Sequence, residues 1–125
     1  MRSASGMLIM TCLALSATAP STSLGASQEK KSVSFEKDIQ PIFKASCLSC
    51  HKPDKKKGKL DMSTYAELMK GGKQGAPVKP GDPAKSLIVE MISGEEPEMP
   101  EKGDKLKPEQ IDLITRWIKE GAKQN

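Results

Sequence analysis

The sequence predicts a small all-α domain of about four helices joined by long loops. Three observations predict it. Apolar residues recur at helical spacing in four separate segments. No segment alternates apolar and polar residues as a half-buried strand does. The connections are rich in Gly and Pro, and two of them are as long as the shorter helices. With 125 residues, one Trp, one Tyr and two Phe, the chain holds one domain and little material for a large apolar core. Long irregular connections in so small a domain wrap something or stay disordered, so another group is expected to fill the middle.

The first segment is read as a targeting signal. Arg2 precedes an apolar run, Met7 to Ala19, too short for a bilayer span of ~20 residues but suited to the apolar part of a secretory signal. Residues 1–26 are therefore expected to be a signal peptide. Cleavage falls after Ala19 or, because Pro20 hinders that cut, after Ala26. An uncleaved anchor is the alternative. Cys12 lies inside the run and leaves with it. Residues 27–32 are small and polar and read as a disordered leader, and residues 33–125 form the domain. The expected location is periplasmic or secreted, with no membrane span after signal removal.

The first helix starts near Ser34, because Phe35, Ile39, Ile42 and Phe43 fall on one face. Pro41 removes a backbone donor there and should kink the helix or loosen a turn. Residues 51–59 are a charged loop. Ser63–Lys70 reads as a short helix with Tyr65, Leu68 and Met69 on one side, ended by Gly71-Gly72. Residues 71–83 form a Gly/Pro loop; without a preceding strand or a Gly-Lys-Ser/Thr ending, it is a poor phosphate cradle. Ala84–Ile92 reads as one helix with Leu87, Ile88 and Met91 on its apolar side, and residues 93–107 as loop. Pro108 and Glu109 suit the start of the last helix, and Leu106 with Ile111 form a hydrophobic staple. Ile111, Ile114, Trp117 and Ile118 make its buried stripe, and Gly121 ends it.

Composition narrows the function. Charged residues make up 29% and the mean hydropathy is −0.50, which excludes a polytopic membrane protein. A net charge of +4 is far from the dense basic footprint of a nucleic-acid binder. His51 is the sole histidine, so any Ser-His-Asp or Cys-His enzyme would have to use it.

Cys47-Leu48-Ser49-Cys50-His51 is C-x-x-C-H, the c-type haem attachment motif. Two thiols three residues apart can reach the two vinyl groups on one porphyrin edge, and the adjacent histidine then offers a proximal nitrogen to iron. Such thioethers form after export, in agreement with the leader. A redox dithiol would want a βαβ context that the pattern lacks. A zinc site would want a fourth ligand. Of the methionines after the motif, Met62 and Met69 flank the Tyr65 helix and Met91 sits on the apolar side of its own helix, positions suited to packing. Met99 lies between Pro97 and Pro100 among acidic residues, with no helical face to join, and is the candidate distal ligand. A thioether there favours Fe(II) and raises the reduction potential.

At these residues the sequence resembles a class I c-type cytochrome, most closely the small planctomycete-type cytochrome c domain. The resemblance covers residues 33–122. Its markers are Val33-Ser34-Phe35, Ile39-Gln40-Pro41-Ile42, the Cys47–His51 motif, Gly58-Lys59-Leu60, Gly71-Gly72, Pro80-Gly81-Asp82-Pro83, Ser86-Leu87, Met99-Pro100, and Trp117-Ile118 before Gly121-Ala122. It implies one haem c bound covalently through Cys47 and Cys50, with His51 as proximal and Met99 as distal iron ligand. It also implies crossed terminal helices that bring Phe35 or Phe43 near Trp117. Two departures stand out. Lys107 replaces the small hydroxyl residue that caps the last helix, and Glu101 replaces a second proline after the distal methionine.

The function expected is single-haem electron transfer outside the cytoplasm, not enzymatic catalysis. The alternatives are a haem enzyme or ligand sensor in which the methionine is displaced, or an electron-entry subunit of a larger oxidoreductase. A second histidine for acid–base chemistry is missing, which counts against a peroxidase. Lys52, Lys55, Lys56, Lys57 and Lys59 follow the proximal histidine, with only Asp54 among them to oppose their charge. They are expected to steer an acidic redox partner toward the haem edge, the alternative being a plainly solvated loop.

Overall fold

The computed structural model describes residues 30–125, so the expected signal peptide and the first part of the leader lie outside the described residues. Among the described residues four α-helices carry the fold: α1 (Gln40–Ser46), α2 (Tyr65–Lys70), α3 (Leu87–Ile92) and α4 (Pro108–Lys119). Two two-residue strands, β1 (His51–Lys52) and β2 (Lys55–Lys56), pair antiparallel with His51 opposite Lys56. The segment expected to be all loop therefore contains a minimal hairpin. Two-residue strands are too short to show an alternation in sequence.

A single wide turn of π type, Phe35–Ile39, runs directly into α1. Pro41 explains it. In a regular α-helix its ring would meet the Lys37 carbonyl, and the wider turn opens the helix at that point. Ser34 caps the start. Its hydroxyl accepts from the Lys37 N–H at 3.2 Å, and Asp38 accepts from the Ser34 N–H at 2.8 Å. The carboxylate that closes this box sits one residue later than usual because the turn is wide.

Thr64 caps α2 by accepting from the Glu67 N–H at 3.2 Å. Gly71 ends it at φ 79°, a conformation open to glycine, donating to the Glu67 and Leu68 carbonyls. The helix expected over Ala84–Ile92 is broken. Pro83–Lys85 is a 3₁₀ turn, and Ser86 is extended at ψ 114° before α3 begins. Ser86 is buried, and its hydroxyl accepts from the Lys79 N–H at 2.9 Å and donates to the Asp82 carbonyl at 2.9 Å. Those bonds fold the chain back on itself, and a continuous helix would sacrifice them.

Lys107 offers no side-chain cap to α4, but its N–H donates to Gln110 Oε1 at 2.9 Å, so the helix start is held from the other side. The chain after α4 turns through Gly121 and Ala122, and the Ala122 N–H returns to the Trp117 carbonyl at 2.8 Å. The Gly81 N–H donates to the Ile118 carbonyl at 2.7 Å, satisfying another helix-end acceptor.

The core lies where the first turn crosses α4. Phe35, Ile39, Phe43, Leu68, Ile114, Trp117 and Ile118 are fully buried there. Phe35 stacks at 5.4 Å from Trp117 and 5.2 Å from Tyr65, with Phe43 6.3 Å away, so Phe35 is the ring that meets the tryptophan. The polar tips are satisfied: Trp117 Nε1–H donates to the Lys123 carbonyl and the Tyr65 hydroxyl to that of Ala122. Met69 packs against this core, as expected of it. Among the described residues no helix is long and apolar enough to cross a membrane.

Candidate functional site

The functional side chains hang from a turn that continues α1. The Cys47 N–H still donates to the Phe43 carbonyl at 2.8 Å, and the His51 N–H donates to the Cys47 carbonyl at 2.9 Å. One helical turn thus brings Cys47, Cys50 and His51 to one side, as i, i+3 and i+4 positions must be. Both cysteines are free. Burial pushes the Cys47 thiol up to about 12. A redox dithiol needs an accessible thiolate of low pKa, and this site disfavours one.

His51 is buried, and its ring has a defined role for each nitrogen. Nδ1 lies 3.1 Å from the Lys57 carbonyl, which can only accept, so Nδ1 carries the proton. Among the described residues the ring's hydrogen bond is made by Nδ1, so the other nitrogen, Nε2, keeps its lone pair. This is the arrangement of a ligating imidazole fixed by an outer hydrogen bond. The carbonyl is presented by the turn Lys57–Lys59, in which Gly58 takes φ 61°. Two contacts hold that turn: the Lys57 N–H donates to the Cys50 carbonyl at 3.1 Å, and the Lys73 N–H to the Gly58 carbonyl at 2.7 Å.

Cys47, Cys50, His51 and Met99 all line one cavity of about 490 Å³, a size typical of cofactor sites. Its apolar wall includes Leu60, Pro77, Leu87, Ile88, Ile92 and Leu106. The Gly/Pro loop and the loop 93–107, both read as wrapping something, supply much of the lining. Met62 and Met91, expected only to pack, also line it. Met91 lies on α3 and Met62 just before α2, and the apolar surface at each borders the cavity as well as the core. The sequence reading also overlooked Lys57, whose part is played by a backbone carbonyl that no residue type announces.

The donor set and the space fit a haem held through two thioethers. Two free thiols share one side of a turn, an imidazole offers an unpartnered nitrogen, thioethers lie on the same cavity, and the walls are apolar. They do not fit zinc: among the described residues no three His, Cys, Asp or Glu side chains cluster to hold a metal ion.

The lysine loop is less positive than its sequence suggests. Beyond the Lys52–Asp54 pair, Lys56 lies 3.3 Å from Asp61 and 3.7 Å from Glu67, and Lys57 pairs with Glu101. The carboxylates arrive from distant segments, so Asp54 is not alone in opposing the lysines. Among the described residues Lys55 and Lys59 have no ion-pair partner.

No curated protein and no solved structure matches the chain. A family model described as Planctomycete cytochrome C matches residues 47–103, from the first cysteine of the motif to the loop beyond Met99. The match leaves out the Phe35–Ile39 turn, α1 and α4, and with them the crossing of that turn and α4 that forms the core. Motif and cavity agree with the family model: residues 47–103, a little under half of the chain, are similar to a planctomycete-type cytochrome c domain.

Proposed function

We propose that this protein is an exported single-haem electron carrier, with haem c on Cys47 and Cys50, His51 as proximal ligand and Met99 as distal ligand. The observation that carries the reading is the His51 ring. Its Nδ1–H is committed to the Lys57 carbonyl and its Nε2 is left for a metal, next to two free thiols on an apolar cavity. When bound, the iron of the haem supplies one-electron redox chemistry. The chain's own contribution is to fix the imidazole, exclude water with Leu60, Ile88, Ile92 and Leu106, and close the sixth position with a thioether. A closed sixth position leaves no site for substrate, which favours a carrier over an enzyme or gas sensor.

The partner is a redox protein that approaches the cavity mouth. Lys55 and Lys59, exposed and unpaired among the described residues, are the charges of the 52–59 loop that remain to steer an acidic surface.

The test is a spectrum of the oxidised and reduced protein, with and without carbon monoxide, on material produced with a haem-maturation system. Haem retained on a denaturing gel, a far-red sulfur-to-iron band and indifference to carbon monoxide support the reading. Loss of all haem on denaturation refutes covalent attachment, and rapid carbon monoxide binding refutes a closed sixth site.

A further inference from the structure

Lys57 is engaged twice. Its backbone carbonyl accepts from His51 Nδ1, and its ammonium group donates to Glu101 Oε2, which lies 44 residues away in sequence. Glu101 stands two residues after Met99, and both ends of the pair line the cavity. The segment that bears Met99 has few other polar ties. The Met99 N–H donates to the Met91 carbonyl at 2.8 Å, and Lys105 Nζ donates to the Pro100 carbonyl. Both of those bonds are local. Among the described residues, Lys57–Glu101 alone, as a hydrogen bond or ion pair, joins residues 93–106 to the half of the chain that holds Cys47, Cys50 and His51.

We propose that Lys57 and Glu101 are positioning residues whose ion pair clasps the Met99 loop to the His51 loop and keeps the sixth iron position closed. The proposal rests on the reading of Met99 as distal ligand. Both side chains are half-exposed, at 45% and 44%, so the pair adds little to global stability. Its effect falls on a smaller equilibrium, the local opening of a loop without helix or strand, where a modest bias changes the open fraction severalfold. The departure from the family pattern at position 101 thus acquires a use. The carboxylate ties down across the cavity mouth a loop that a second proline would have stiffened.

The experiment titrates imidazole into the oxidised holoprotein and follows the visible spectrum, since imidazole binds only when the sixth position opens. At low salt, Glu101→Gln and Lys57→Met should each raise imidazole affinity about 2- to 5-fold. The gap should close at 1 M salt, where the Debye length is about 3 Å. The Lys57 carbonyl survives both substitutions, so the hydrogen bond to His51 persists. The reversed pair, Lys57→Glu with Glu101→Lys, should return the affinity to within about 2-fold of wild type. Equal affinities in all four proteins, with the far-red band present in wild type, overturn the clasp and leave the ligand reading intact. A reversed pair no closer to wild type than the single variants assigns the effect to packing and also overturns it. A wild type without the band, or a Met99→Ala protein that retains it, overturns the ligand reading and the clasp with it.

Discussion

Gly72→Ala isolates the contact that seats the histidine-supporting turn. A Cβ at position 72 would lie 2.6 Å from the Gly58 carbonyl oxygen and 3.0 Å from both the Leu60 nitrogen and Cβ. Two of those neighbours are backbone atoms and cannot swing aside. The chain must therefore part between the 71–75 loop and the Lys57–Lys59 turn, stretching the 2.7 Å bond from the Lys73 N–H to the Gly58 carbonyl. Overpacking of this kind costs about 1–3 kcal/mol. In a domain of this size that lowers the melting temperature by roughly 4–24 °C. Gly75→Ala is the companion measurement. It meets no atom within 4 Å but forces a side chain onto φ +91°, at a cost of about 1–2 kcal/mol from backbone strain alone. Thermal and guanidinium unfolding of the two holoproteins gives the stabilities, and the reduction potential reports on the imidazole. Both variants lose stability, but only Gly72→Ala shifts the potential, because only its neighbours reach Lys57. A Gly72→Ala protein within about 0.5 kcal/mol of wild type, with an unchanged potential, would refute the account of a tight seat.

Met99→Ala removes the far-red band, admits carbon monoxide and lowers the potential, whereas Met69→Ala keeps the band; absorption spectroscopy and potentiometry decide this. Met91→Ala and Met62→Ala are expected to keep the band as well, and loss of it in either would transfer the distal role to that residue. Trp117→Ala empties the fully buried place beside Phe35 and Tyr65 and costs about 3–5 kcal/mol, measured by denaturant unfolding. Asp61 gives an acid dependence. Burial raises its pKa, but hydrogen bonds from the Ser63 hydroxyl and N–H and the Lys56 cation outweigh that and hold it below its ordinary value of 3.8. Its folded pKa is thus depressed, so its stabilisation is complete above the unfolded value and fades as pH falls through the folded one. The stability gap between wild type and Asp61→Asn should be constant at neutral pH and shrink below about pH 3.8, as urea titrations across pH will show.

Local patterns gave away the helices and the chemistry. The stripe Ile111, Ile114, Trp117, Ile118 repeats every three or four residues, and the first turn of α4 begins at the expected Pro108. Cys47, Cys50 and His51 fall within five residues, so their spacing alone implied attachment chemistry and pointed to the family whose model matches residues 47–103. These signals survive in sequence because neighbours along a helix or turn have fixed relative positions. Ser86 shows where such reading stops. Nothing local distinguishes it from a helical serine, and its break follows from bonds to Lys79 and Asp82 made only when that loop closes. Met91 shows the same limit, since periodicity finds an apolar face but not whether that face meets core or cavity. The lysine run read as a basic collar until folding delivered Asp61, Glu67 and Glu101 to it. The orientation of His51 waited on a carbonyl six residues away. Sequence determined what each segment prefers and which ligands it offers. Tertiary structure alone decided which segments meet, because side-chain type does not encode pairings across long loops, and backbone acceptors carry no residue signature at all.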